Sequence, residues 1–316
     1  MLRRRGEVQA VSLNRRELLQ LTAVATALHA VRAEAKDKKM INTRAIPKSK
    51  DGKEQLPVVG LGTWQTFDVD ASAAARKPID EVLTAFLAAG CRVIDSSPMY
   101  GRAEEVTGDE LAAIGKLGTP FLATKVWTTG KKAGIEAMQR SMRRMRTKRM
   151  DLMQVHNLLD VKTHLPVLRE WKDAGTIRYL GVTHYQHDQF DAIEKLMKTE
   201  KLDFIQIPYS LTDRLAEKRI LPAAADTGTA VLVMTPFESG ALFRKVKGKA
   251  LPAIAADIDC TSWAQFFLKF IIGHPAVTCP IPATSNPAHI ADNVQAAFGR
   301  IPDEAQRTKM VAALGA

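Results

Sequence analysis

From residue 56 onward the chain alternates short runs dense in β-branched and aliphatic residues with longer stretches whose apolar positions recur every three or four residues. "PVVGLGTW", "CRVID", "FLATKVW", "MDLMQVHN", "IRYLGVTH", "LDFIQIPYS", "TAVLVMTP" and "AVTCPIP" read as eight strands. Around them the periodicity predicts helices over 78–89, 103–115, 132–147, 163–174, 187–199, 213–226, 261–272 and 287–297, with another over 303–314. Strands this apolar on both faces, each followed by a helix, belong to a parallel sheet covered on its outside. Eight such units in succession predict the α/β class and a closed (β/α)8 TIM barrel. An open, doubly wound sheet would carry a Gly-rich phosphate turn after its first strand, and "GLGTWQTFD" has Gly60 and Gly62 but lacks the third glycine. Ahead of the first strand, the polar segment "MINTRAIPKSKDGKEQLP" reads as an N-terminal hairpin capping the barrel floor.

The first 35 residues do not fit this alternation. In "SLNRRELLQLTAVATALHAVRAEA" the paired Arg15 and Arg16 precede an apolar run from Leu18 to Val31, and Ala33-x-Ala35 supplies the small residues that a signal peptidase cleaves after. The run is too short to span a membrane. The segment resembles a twin-arginine signal, which exports proteins already folded and so suits a chain that takes up a cofactor first. The sequence therefore divides into a signal peptide over 1–35 and a barrel over 36–316, with the mature protein expected in the periplasm or secreted and not inserted in the membrane. A surface helix beginning at Asn14 is the alternative.

At 316 residues and 46% hydrophobic content the chain can bury a large core. Its formal net charge of +11 would point to a nucleic-acid or membrane surface if it were concentrated. Six Arg against three Glu place +3 in residues 1–35 and leave +8 on the rest. The densest remaining cluster, "QRSMRRMRTKR" at 139–149, has no interleaved aromatics, and Met142 and Met145 mark a buried side; it reads as a solvated helix face rather than a nucleic-acid site. Cys91, Cys260 and Cys279 show no CxxC spacing and read as buried small hydrophobes. His184 and His187 lack a third ligand, so no metal site is expected, and the barrel is expected to be a monomer.

In such a barrel the chemistry lies at the C-terminal ends of the strands. There the second strand ends in Asp95 with Tyr100 just beyond, the third in "TKVW" with Lys125, and the fourth in "QVHN" with His156. A phenol is a poor acid at neutral pH, and a nearby Lys125 ammonium is expected to stabilise the phenolate and lower the pKa of Tyr100. A buried lysine needs a counter-ion, which Asp95 supplies. A neutral His156 can donate a hydrogen bond to a carbonyl and aim it. The set protonates an oxygen without a metal but holds no hydride, so a reduction needs a nicotinamide cofactor.

With "GCRVIDSSPMYG", "LATKVW" and "MDLMQVHN" in place, the chain resembles the aldo-keto reductases from about residue 55 to 297. The resemblance implies NAD(P)H-dependent reduction of aldehydes or ketones to alcohols, with Asp95, Tyr100, Lys125 and His156 as the catalytic tetrad and Tyr100 as general acid. "YGRAEEVTG" is similar in spacing to the branch that includes aryl-alcohol reductases and channel-associated subunits. That branch supplies the rival expectation, an exported, nucleotide-bound redox-sensing or binding partner without significant turnover.

For the cofactor, the resemblance implies Gly62, Thr63, Trp64 and Asp95 at the first strand ends, Thr183 and His184 where the family carries Ser and Asn, and Gln206 on the sixth strand. It adds Thr235, Phe237, Ser239 and Gly240 after the seventh strand, and Thr284, Ser285, His289 and Asn293 of "IPATSNPAHIADN" after the eighth. Ala283 and His289 stand where members preferring NADPH usually carry Lys and Arg, while Arg244, Lys245 and Lys247 of "FRKVKGK" offer replacement cations. NADPH is the expected cofactor and NADH the alternative. Trp64, Met99, Trp127 and His156, with Phe67 nearby, form the expected wall for a small-molecule carbonyl, suited to apolar or aromatic substrates. A Schiff-base role for Lys125, as in an aldolase on the same barrel, is the rival chemistry.

Overall fold

The computed structural model describes residues 40–315; the expected export signal and its boundary with the barrel lie outside the described residues. Two short antiparallel strands, β1 (Thr43–Ala45) and β2 (Gln55–Pro57), precede eight parallel ones. These are β3 (Leu61–Gly62), β4 (Val93–Asp95), β5 (Phe121–Val126), β6 (Met150–Val155), β7 (Ile177–Thr183), β8 (Phe204–Pro208), β9 (Ala230–Met234) and β10 (Cys279–Pro280), each beside its sequence neighbour. The sheet curls until its ends meet: Gly60 N–H donates to the Pro280 carbonyl at 2.9 Å and Gly62 N–H to that of Pro282 at 3.0 Å. The two glycines noted in the sequence serve this seam. A Cβ on Gly62 would stand 2.7 Å from the Ile281 carbonyl oxygen, and one on Gly60 2.9 Å from the Ile281 side chain.

The barrel interior follows from the two-residue period of its strands. Val93, Phe121, Ala123, Leu152, Tyr179, Phe204, Ala230, Leu232, Cys279 and Ile281 form one buried cluster with Ile46 and Leu56 of the hairpin. The β1–β2 hairpin thus closes the floor, each of its two apolar plugs contributing about 1.5–3 kcal/mol by burial. Two residues further along the same strands, the inward positions turn polar: Asp95 after Val93, Lys125 after Ala123, Gln154 after Leu152 and Gln206 after Phe204. The barrel is therefore apolar at one end and polar at the other, and strand parity sets which side chains meet at the polar end.

Outside run the helices α1 (Ala73–Ala88), α2 (Ala103–Ala113), α3 (Lys131–Arg144), α4 (Val161–Asp173), α5 (Phe190–Glu200), α6 (Leu215–Lys218), α7 (Ile220–Thr227), α8 (Ala241–Lys245), α9 (Ile254–Asp257), α10 (Trp263–Ile272), α11 (Pro287–Asn293) and α12 (Glu304–Leu314). The short α8 and α9 lie where the periodicity predicts no helix, and two predicted helices start or break elsewhere than expected. The first begins at Ala73, not at Pro78, because Ser72 caps it by accepting the Ala75 N–H and the helix carries Pro78 within it. The stretch 213–226 breaks at Arg219 (φ −148°), whose guanidinium pairs with Asp191 at 2.8 Å and Glu194 at 2.5 Å. In the basic segment 139–149, Met142 and Met145 are buried while Arg140 and Arg143 face solvent. No helix among the described residues is long and apolar enough to cross a membrane.

Candidate active site

The loop that carries Tyr100 is fixed from both sides. Tyr100 N–H donates to the Ser97 carbonyl at 3.0 Å, and Ala103 N–H, opening α2, donates to that of Tyr100 at 3.1 Å. Gly101 sits at φ +58°, and a Cβ there would run into the Asp68 carboxylate, which instead accepts the Arg102 N–H at 2.9 Å. Buried Glu104 accepts the Thr124 hydroxyl of β5 at 2.6 Å, so the helix behind Tyr100 is tied to the strand that carries Lys125.

Lys125 Nζ donates to Asp95 Oδ2 at 2.6 Å and to the Ser96 carbonyl at 2.7 Å, with side-chain exposures of 1% for Lys125 and 3% for Asp95. The carboxylate also accepts from Gln154 Nε2 at 3.3 Å and Gln206 Nε2 at 3.2 Å, which disperses its charge into amides that cannot titrate. Burial works to lower the Lys125 pKa, but Asp95 and Tyr100 together turn its net shift upward, so the lysine is a resident cation. Its Nζ stands 5.0 Å from the centroid of the Tyr100 ring.

The expectation for Tyr100 itself needs correction. Burial pushes its phenol up, Lys125 pulls it down, Asp95 pushes it up again, and the net direction is upward. The ammonium is already balanced by Asp95, so it cannot offset the lost solvation of a buried phenolate. Tyr100 is therefore a protonated donor, not a stabilised phenolate.

His156 stands edge-on to Tyr100, ring centroids 5.9 Å apart, with Trp127 at 6.4 Å. Burial first, then Lys125 and His184, push its pKa down to about 3, so the ring is neutral. Its Nδ1 lies 3.0 Å from Ser97 Oγ. Neither Ser97 nor Gln154 stands out in the sequence, although the parity shared by Leu152, Gln154 and His156 was the available signal. A neutral imidazole, a protonated phenol and a screened ammonium converge here; such a set can orient a carbonyl and protonate its oxygen.

The remaining predicted positions fall into separate groups. Thr183 is buried, and its Oγ1 accepts the Asn157 N–H at 3.3 Å beside His156. His184 Nδ1 accepts the Gln186 N–H at 3.1 Å, and its ring stacks on Tyr185. His187 is bound to Asp213 at 2.8 Å. Thr63 is buried under β4, its hydroxyl donating to Ser96 Oγ at 2.9 Å and the Asp95 carbonyl at 3.0 Å. Trp64 (46%), Met99 (39%) and Trp127 (45%) are exposed, whereas Phe67 is wholly buried and so belongs to the core rather than the substrate wall. Thr235 and Ser239 take positive φ in the turn after β9, as does Gly240. Phe237 packs on Phe243 and Phe267, centroids 4.9 and 6.4 Å away, so packing already engages its ring. After β10, Thr284 Oγ1 accepts the Asn286 N–H at 3.0 Å and lies 3.5 Å from His289 Nδ1, near half-buried Ser285 and buried Asn293.

A cavity of about 390 Å³ opens elsewhere, lined in part by Glu54, Arg92, Arg146, Asp151 and Arg178. Three of its four arginines are engaged: Arg178 pairs with Glu54 and Asp151, Arg146 with Asp109, and Arg92 donates to the Leu87 and Cys91 carbonyls. None of the tetrad residues lines it, and it is not a candidate for this chemistry.

The chain is similar to proteins of known family and fold. Aldo-keto reductase YhdN of Bacillus subtilis is 30% identical over 203 residues, a match spanning 60% of this chain and 60% of that protein. Methylglyoxal reductase YeaE of Escherichia coli is 28% identical over 249 residues, 77% of this chain and 86% of its own. An aldo-keto reductase from Klebsiella pneumoniae, solved in complex with NADPH, shares the fold with a TM-score of 0.72 at 24% identity, covering 87% of this chain and 95% of that one. Residues 58–308 match the sequence profile of the aldo/keto reductase family. That match runs from the first barrel strand into the last helix, and the chain belongs to the aldo/keto reductase family.

Proposed function

We propose that the protein reduces an aldehyde or ketone to an alcohol with a nicotinamide cofactor, using Tyr100 as the proton donor. The observation that carries this reading is the buried Lys125–Asp95 pair at 2.6 Å, set under the Tyr100 ring and beside a neutral His156. A reduced nicotinamide nucleotide supplies the hydride. His156 donates to the substrate oxygen and aims it; Tyr100 delivers the proton to that oxygen; Lys125, kept charged by Asp95, offsets part of the cost of the phenolate left behind. A Schiff-base role for Lys125 is disfavoured, because an amine held as an ammonium by a carboxylate is a poor nucleophile.

The donor set fits the cofactor. Thr183 has its hydroxyl proton to give, His184 with Nδ1 engaged has Nε2 to offer, and Gln206, whose amide already donates to Asp95 and accepts from Gln154, adds its second N–H. For the phosphates, Arg244, Lys245 and Lys247 are exposed with no ion-pair partner among the described residues, near the turn holding Ser239 and Gly240. These cations favour NADPH, as in the Klebsiella pneumoniae complex, with NADH as the weaker alternative. Trp64, Met99 and Trp127 favour an apolar or aromatic carbonyl, and the methylglyoxal reductase relative puts a small dicarbonyl beside it as the second candidate. We further infer export through the twin-arginine signal over 1–35 and action as a monomer. Following NADPH absorbance with aromatic aldehydes, ketones and methylglyoxal tests the reading: carbonyl-dependent oxidation supports it, and none across the panel refutes it.

A further inference from the structure

We propose that Ser97 is a positioning residue for His156, holding the imidazole in the tautomer that carries its proton on Nε2. The inference rests on the reading of His156 as the group that aims the substrate carbonyl. Ser97 is wholly buried, and its Oγ lies 3.0 Å from His156 Nδ1. The Met99 N–H already donates to that oxygen at 3.4 Å. Among the described residues the hydroxyl proton then has one acceptor, the Nδ1 lone pair. With Nδ1 accepting, a neutral ring must carry its proton on Nε2.

The opposite tautomer fails on two counts. It would make Ser97 accept from both Met99 and His156, leaving a buried O–H with no acceptor among the described residues. It would also turn a bare Nε2 lone pair toward a carbonyl oxygen, where the two electron pairs repel. No described residue forms a hydrogen bond with His156 Nε2, so that atom is left for a substrate. The same residue also fixes the proton donor, since the Ser97 carbonyl accepts the Tyr100 N–H at 3.0 Å. Ser97 thus joins the two groups that must meet one oxygen, its side chain to one and its backbone to the other.

Ser97→Ala removes the hydroxyl without adding bulk and leaves the backbone bond to Tyr100 in place. The test is long-range proton–nitrogen NMR on the full chain with labelled histidine, the His156 ring signals identified by their loss in His156→Gln. The parent is expected to show His156 protonated on Nε2, and S97A a mixture of tautomers. Turnover of S97A should fall about 2- to 10-fold, the range that the net worth of one neutral hydrogen bond converts to, with cofactor KM unchanged. A parent ring protonated on Nδ1, or S97A still wholly on Nε2, overturns the proposal whatever the turnover. Mixed tautomers with unchanged kcat overturn the positioning role. If no carbonyl is reduced by the parent, the reductase reading fails while the NMR still decides what Ser97 does.

Discussion

Replacing Lys125 by Met separates the lysine's structural role from its chemical one. The substitution leaves Asp95 as a buried carboxylate whose ammonium partner, 2.6 Å away in the parent, is gone. Removing one member of a buried ion pair costs about 3–5 kcal/mol. Gln154 and Gln206 still donate to Asp95, so the lower part of that range, about 3–4 kcal/mol, is expected. Neutralising the stranded acid in Asp95→Asn/Lys125→Met should restore stability to within about 1–2 kcal/mol of the parent. Turnover should stay down by about 100-fold or more in both variants, because neither places a cation beside Tyr100. Urea unfolding followed by tryptophan fluorescence, compared at equal m-value, reads the stability, and NADPH oxidation reads the turnover. The reasoning is refuted if K125M loses less than about 1 kcal/mol, or if the double variant is no more stable than the single one.

NADPH should bind more tightly than NADH, by less than about 100-fold, with a gap that narrows as salt screens exposed Arg244, Lys245 and Lys247; tighter NADH binding at low salt in a fluorescence titration would contradict this. Burial lowers the pKa of His156 to about 3, and burial with the charge of Arg307 lowers that of His274, in the loop between α10 and β10, to about 4, against about 6.5 when unfolded, so between those values the unfolded chain binds protons that the folded one refuses. Their contribution is complete above about pH 6.5 and is lost as pH falls toward 4, seen as a declining Tm by circular dichroism that His156→Gln flattens. Replacing Arg15 and Arg16 by Lys should hold the chain in the cytoplasm at precursor mass, and processed, exported protein would exclude the twin-arginine reading.

The barrel was legible because burial on both faces of a strand leaves a continuous apolar run. Asp95, Lys125 and His156 were found as polar residues at the ends of such runs, and the structure brings them together with Tyr100. The start of α1 was hidden because Pro78 reads as a first-turn residue, whereas Ser72 caps the helix six residues before it. The direction of the Tyr100 shift was hidden because a sequence shows a neighbouring charge but not how far water is excluded from it. Ser97 and Gln154 escaped notice for a related reason: their partners are 59 residues away, and a hydroxyl or amide gains its role only from what it faces.

The account rests on the Tyr100 hydroxyl as the source of the proton, and Tyr100→Phe tests that most directly because its ring still packs against the core. Turnover of an aromatic aldehyde with NADPH should fall by about 100- to 10,000-fold, while cofactor binding by tryptophan quenching and the unfolding midpoint stay close to the parent. Near-parental turnover in a folded, cofactor-binding Tyr100→Phe protein would contradict the account.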